Sequence, residues 1–168
     1  MFKKKKISKA KVAQEILPEE DFYEEKPPEE EKRQLVNFYL GKEWYGIEIT
    51  SVKEMVKVPS ITYLPGAPSH ILGVINLRGN ILSVTDPKKI FGLNATKPLP
   101  SSRIIVIEHG HIETGILVDK VGGTLYVPVA KIDPPMVTLA GPAAEYIEGE
   151  SEIEGKLLGI LKVEKLII

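Results

Sequence analysis

The sequence contains no cysteine. That absence excludes disulfides, thiolate metal centres and cysteine nucleophiles together, and it suits a reducing compartment. Net charge is almost absent too. The 22 basic residues against 23 acidic ones leave −1, so no overall field draws the chain to nucleic acid or to an anionic membrane. No apolar run reaches the roughly 20 residues of a membrane span, because Gly, Pro or charge interrupts each run within a few residues. The basic start, Lys3 to Lys6 and Lys9, has no apolar stretch behind it and does not form a secretory signal. A cytoplasmic protein with no membrane insertion is the expectation.

Long stretches at helical period are missing as well. Short runs rich in Val and Ile take their place from Leu35 onward, punctuated by glycine and proline. Leu35–Leu40 and Tyr45–Ile49 flank Gly41-Lys42 and predict a hairpin. Val74–Leu77 and Ile81–Val84 flank Arg78-Gly79-Asn80, and Ile104–Ile107 and Ile112–Val118 flank His109-Gly110. Lys156–Leu161 predicts a further strand. Helix is predicted only in short pieces, at Asp86–Phe91, where Asp86 caps and Pro87 opens the turn, and at the C-terminus. Many short strands with regular turns argue for an all-β barrel or sandwich. Residues 1–33 differ in texture, basic and then acidic with Pro27-Pro28. They predict a flexible, solvated tail, with a short docking helix through Val12, Ala13, Ile16 and Leu17 as the alternative.

The most informative feature is an internal repeat. An offset of 69 residues places Gly41 on Gly110, Gly46 on Gly115, Ile47 on Ile116, Val52 on Val121 and Val58-Pro59 on Val127-Pro128. An offset of 76 places Gly79 on Gly155, Ile81-Leu82 on Leu157-Leu158 and Ile90 on Leu166. The reading is two five-stranded barrel lobes with short helices, residues 34–98 and 99–168, too small to stand alone and sharing an interface. An exchange of a terminal strand between lobes stays open. Duplication also separates framework from specialisation. Glu54 meets Gly123 and Arg78 meets Glu154, so a matched acid and base exist only in the first copy; Asp119 meets Thr50.

Catalysis finds little support. His109 and His111 straddle a hairpin glycine and face solvent, and His70 fits local capping or exposure. No nucleophile elbow or phosphate-binding Gly-rich loop occurs, and Asp86, Asp119 and Asp133 form no acid/base pair. Gly122-Gly123 opens no helix and predicts a bend or bulge. No cofactor or metal site is expected. A nucleic-acid-binding barrel needs a basic groove with exposed rings, whereas Phe38, Tyr39, Trp44 and Tyr45 cluster with only Lys42 among them. Protein binding remains.

The run Gly73-Val74-Ile75-Asn76-Leu77-Arg78-Gly79 within Pro65–Asp86 closely resembles the signature of the CheW family. Gly115-Ile116-Leu117-Val118-Asp119-Lys120-Val121, Tyr146–Gly149 and Ile160–Leu166 are similar to further elements of it, so the likeness covers residues 34–168. The resemblance implies two SH3-like five-stranded barrels and a non-catalytic chemotaxis adaptor. Such an adaptor couples methyl-accepting chemoreceptors to the regulatory domain of the histidine kinase CheA in signalling arrays at the inner membrane face. It implies receptor contacts at Val52, Glu54, Arg78 and Ile81, and a kinase contact at Arg103 and Ile104. An adaptor of a non-flagellar chemosensory pathway, such as surface motility, is the alternative. The sequence departs from the family pattern at Pro87 and at Lys88, which stands where an arginine is common.

Overall fold

The structure is a computed structural model that describes residues 30–136 and 141–167. The tail expected over residues 1–33 lies outside those residues as far as position 29, and so does its candidate helix.

Among the described residues the regular structure comprises ten strands, two α-helical turns and three short 3-10 turns. The first repeat supplies β1 (Lys32–Leu40), β2 (Glu43–Glu48), β3 (Val52–Lys57), β4 (Ile71–Leu77), β5 (Asn80–Thr85) and the turn α1 (Pro87–Ile90). The second supplies β6 (Arg103–His109), β7 (Ile112–Val118), β8 (Lys120–Pro128), β9 (Ile147–Ile153), β10 (Lys156–Leu161) and α2 (Val163–Leu166). The offset of 76 carries β4, β5 and α1 onto β9, β10 and α2 residue for residue. Backbone conformation follows the same rule. Arg78-Gly79, at φ 48° and 88°, matches Glu154-Gly155, at φ 50° and 78°. Two successive positive φ values give the two-residue hairpin turn whose twist suits flanking strands. The expected capping is also present, with the Asp86 carboxylate accepting the Lys88 amide at 3.0 Å.

The sheets do not follow the boundary expected at residues 98 and 99. One five-stranded sheet has the order β8-β1-β2-β10-β9, the other β3-β6-β7-β5-β4. Replacing each strand by its repeat mate turns the first order into the second. Each lobe therefore joins the opening hairpin of one repeat to the last three strands of the other. Hairpin formation is decided locally by turn residues, but the choice of the next neighbour is not.

Chain crossing creates a core that belongs to both repeats. Phe38, Leu40, Tyr45 and Ile47 from β1 and β2 pack with Ile105, Ile107, Ile116 and Val118 from β6 and β7. Phe91, Ile147, Leu161, Val163 and Leu166 close the same cluster. Smaller clusters fill the lobes themselves: Leu35, Val127, Leu158 and Ile160 in one, and Ile75, Leu82, Val84, Ile104, Val106 and Leu117 in the other. Central strands are thus buried on both faces, which is why Ile104–Ile107 reads as an unbroken apolar run. Phe38 and Tyr45 lie in the core, so half of the aromatic cluster is unavailable to a nucleic-acid face.

Gly73 has a specific task. A Cβ there would sit 2.1 Å from the Thr62 carbonyl oxygen, where the crossover forms an isolated bridge from Thr62 to Val74. Its mate Gly149 makes room for the equivalent bridge from Asp133 to Glu150. The bulge expected at Gly122-Gly123 is found as a register shift opposite Asn37 and Phe38.

Strand exchange predicts that neither residues 32–98 nor residues 99–168 fold alone. Each fragment by itself is expected to lack a cooperative melt in circular dichroism, and mixing the two should restore one. A cooperative transition from either fragment in isolation would show that the lobes are sequence-contiguous in solution.

Candidate functional site

β3 and β4 are the two ends of the second sheet, and one side-chain pair spans the seam between them. Arg78, in the β4–β5 turn, donates through its guanidinium to the Glu54 carboxylate on β3. The turn is tied locally, because the Asn76 side chain accepts the Gly79 amide at 2.9 Å. Nothing in the backbone selects arginine at a positive φ, where Gly or Asn is the better fit. The side chains are 73% and 26% exposed, so the pair contributes at most roughly 0.2–1 kcal/mol to stability.

The remaining members of the expected receptor site lie beside this pair. Ile81 follows Arg78 in the same hairpin and is 63% exposed. Val52 is half-buried against the inter-lobe core, separated from Glu54 by a register shift in β3. Glu54, Arg78 and Ile81 present accessible groups, and Val52 supports the fold as much as the surface.

One expected residue is misplaced. Ile104 is completely buried in the core of the second lobe, on the side of β6 that faces Leu117 and Val84. A partner cannot reach it, so a contact at this strand involves Arg103 and not Ile104. Arg103 is half-buried, and its guanidinium donates to the Pro100 and Ser102 carbonyls at 3.1 and 2.7 Å.

The polar centre that sequence reasoning missed lies under the helical turn. Lys88 is 1% exposed and its ammonium donates to the Asp119 carboxylate at 2.7 Å. The other Asp119 oxygen accepts the Gly41 amide at 2.6 Å, and the Ser101 hydroxyl donates to the Asp119 carbonyl at 2.8 Å. One carboxylate thus ties α1, the β1–β2 turn and the β7–β8 junction together. Two signals pointed there: Asp119 breaks the repeat symmetry, and Lys88 follows a capping aspartate. Burial holds the Asp86 carboxyl above its ordinary 3.8, against the lowering effect of its bond from the Lys88 amide and of the Lys88 charge.

The expected exposure of His109 and His111 is found, whereas His70 is half-buried, with its Nε2 enclosed and without a hydrogen-bond partner among the described residues. Among the described residues no group of three or more His, Cys, Asp or Glu is placed to hold a metal ion. Among the same residues no helix is long and apolar enough to cross a membrane.

Comparison with known proteins is consistent with this arrangement, and residues 34–168 match the CheW-like domain. The chain belongs to that family. It is 32% identical over 138 residues to the chemotaxis protein CheW of Helicobacter pylori, covering 82% of this chain and 83% of that one. The CheW of Treponema pallidum is 33% identical over 143 residues, with the same shares of the two chains. Protein PilI of Pseudomonas aeruginosa is 27% identical over 114 residues, covering 68% of this chain and 64% of PilI. A crystal structure of the scaffolding protein TtCheW from Thermoanaerobacter tengcongensis superposes with a TM-score of 0.73 at 36% identity, covering 79% of this chain and 90% of that one. Membership agrees with the two five-stranded sheets and the short helices.

Removing one partner of a buried ion pair strands the other charge, at about 3–5 kcal/mol. Lys88→Ala is expected to lose that much stability in denaturant unfolding, and Lys88→Met combined with Asp119→Asn should cost less than the two single changes summed. An additive result would deny that the charges are coupled. For Asp86, a raised native value means that folding takes up a proton between pH 3.8 and that value. Its contribution is fully present below 3.8 and is lost as pH rises through the native value. Asp86→Asn, which keeps the capping acceptor, should therefore gain stability relative to the parent as pH is raised above about 3.8.

Proposed function

We propose that this chain is a non-catalytic, cytoplasmic chemotaxis adaptor. It couples methyl-accepting chemoreceptors to the histidine kinase CheA, binding both and supporting array assembly at the inner face of the membrane. The observation that carries the reading is the exposed Glu54–Arg78 pair beside Ile81. It lies on a CheW-like scaffold in which the other symmetry-breaking pair, Lys88–Asp119, is buried. The relatives named chemotaxis protein CheW and the structure titled scaffolding protein support the same assignment.

Energetics favour a binding role for the pair. An exposed arginine that adds little to stability still offers a planar fork able to grip carboxylates or carbonyls with two donors at once. Val52, Glu54, Arg78 and Ile81 form the receptor side on this reading. Arg103 marks the kinase side at the opposite end of β6. The likeness to PilI supports a second reading, an adaptor of a chemosensory pathway with a non-flagellar output.

Co-sedimentation with a receptor cytoplasmic fragment and CheA tests the adaptor role. The expected result is a ternary complex with altered kinase activity, and failure to enter a complex with either partner overturns it. Arg78→Ala should weaken complex formation while leaving the melting temperature within a few degrees of the parent, because the pair is exposed. A large fall in melting temperature would assign the pair to the framework instead.

A further inference from the structure

The two sheets end in β3, β4, β8 and β9, and three of these strands are bridged or guarded. β4 receives a bridge from the crossover before it, Thr62 to Val74, and β9 receives the counterpart, Asp133 to Glu150. β3 carries Lys53, Glu54 and Lys57. Lys53 is tied to Glu113 and Glu54 to Arg78, so charge lines that edge. Charged side chains on an edge strand, lysine above all, keep a foreign strand from pairing with it.

β8 is the repeat mate of β3 and has none of those charges. Under the offset of 69, Lys53, Glu54 and Lys57 fall on Gly122, Gly123 and Tyr126. No charged residue stands between Lys120 and Lys131. Among the described residues β8 pairs with β1 alone, and no backbone bond leaves its other side. The register shift at Gly122 interrupts the ladder and Pro128 ends the strand, so the regular free edge is residues 123–127. Leu125 and Val127 pack into the first-lobe core, whereas Thr124 and Tyr126 are exposed, the tyrosine to 66%. Unpaired peptide groups along such an edge are a template for strand addition.

The edge is complementary to itself. With two copies antiparallel and Leu125 opposite Leu125, Thr124 of each faces Tyr126 of the other, and Gly123 faces Val127. Two aromatic–β-branched pairs then form, the kind that stabilises sheets, and no like charges meet. The arrangement has a two-fold axis, so it closes as a dimer and does not grow into a fibre. Independently of the adaptor reading, we propose that β8 is the site at which a second copy of this chain adds, strand to strand. The two first-lobe sheets thereby become one continuous sheet.

Sedimentation of the full chain over a range of concentrations tests this. The parent is expected to show a monomer–dimer equilibrium. Thr124→Lys combined with Tyr126→Lys sets lysine against lysine at both pairs and should weaken the dimer about tenfold or more. Its melting temperature should not change, because both side chains are exposed. Thr124→Glu combined with Tyr126→Lys sets opposite charges together in the same register and should restore the dimer. A parent that stays monomeric up to about 1 mM overturns the proposal. So does a dimer that neither double variant alters, which would place the contact on another surface. Loss of the dimer in both variants overturns the antiparallel register. Protection of the β8 amides from hydrogen exchange only when a different protein is added would overturn the choice of a second copy.

Discussion

The apolar core shared between the two sheets is the constraint on which the other features depend. It exists because each repeat places its first hairpin in one sheet and its remaining strands in the other. Phe38 and Ile107, or Ile47 and Ile116, are mates under the repeat, and all four meet in one cluster. Neither lobe can be completed without the other half of the chain, so the lobes cannot drift apart without unfolding. Fully burying each of these side chains contributes about 1.5–3 kcal/mol, and together they dominate any polar tie across the crossing. This fixes the relation between surfaces on the two lobes, which a coupling protein needs when it engages two partners at once.

Symmetry breaking acts on that frame in two energetically distinct ways. Lys88 and Asp119 replace the Glu164 and Thr50 of the other copy and form a buried pair. Removing one member leaves a desolvated charge, so that pair is integral to folding. Glu54 and Arg78 replace Gly123 and Glu154 and form an exposed pair, which water and salt can substitute at small cost. The same comparison of copies flags both, and burial alone distinguishes their roles.

Much of this was legible in the sequence because it is encoded locally. Gly41, Gly79 and Gly110 all adopt positive φ at the hairpin turns where the spacing placed them, and Asp86 caps the helical turn it was expected to cap. The offsets of 69 and 76 aligned the strands of the two copies. The sequence leaves exchange of a terminal strand open, but its extent, a whole opening hairpin per lobe, was not legible, because an alternating pattern specifies that a segment is a strand and not which strand lies beside it. Ile104 failed for a related reason. On a strand buried from both sides, adjacent isoleucines face different cores, and position in a motif does not reveal that neither face is open. The burial of Lys88 was equally hidden, since a lysine in a short polar helical turn is ordinarily solvated.

Duplication also explains why the two lobes offer unlike surfaces from one plan. The mate of Ile81 is Leu157, and the mate of Ile112 is Glu43. In the second lobe these positions project as an apolar ridge. In the first lobe they border a cleft of about 190 Å³ lined also by Trp44, Phe91 and Pro142. The strand positions are the same, so the difference comes from what lies on them. Phe91 and the Gly141–Ala143 segment line the first-lobe cleft, whereas Ile81 and Ile112 are 63% and 61% exposed. Equivalent places on the two lobes thus differ in shape, so the two faces of the repeat are not interchangeable. The shared core then converts that difference in side chains into a fixed spatial relation between whatever each face holds.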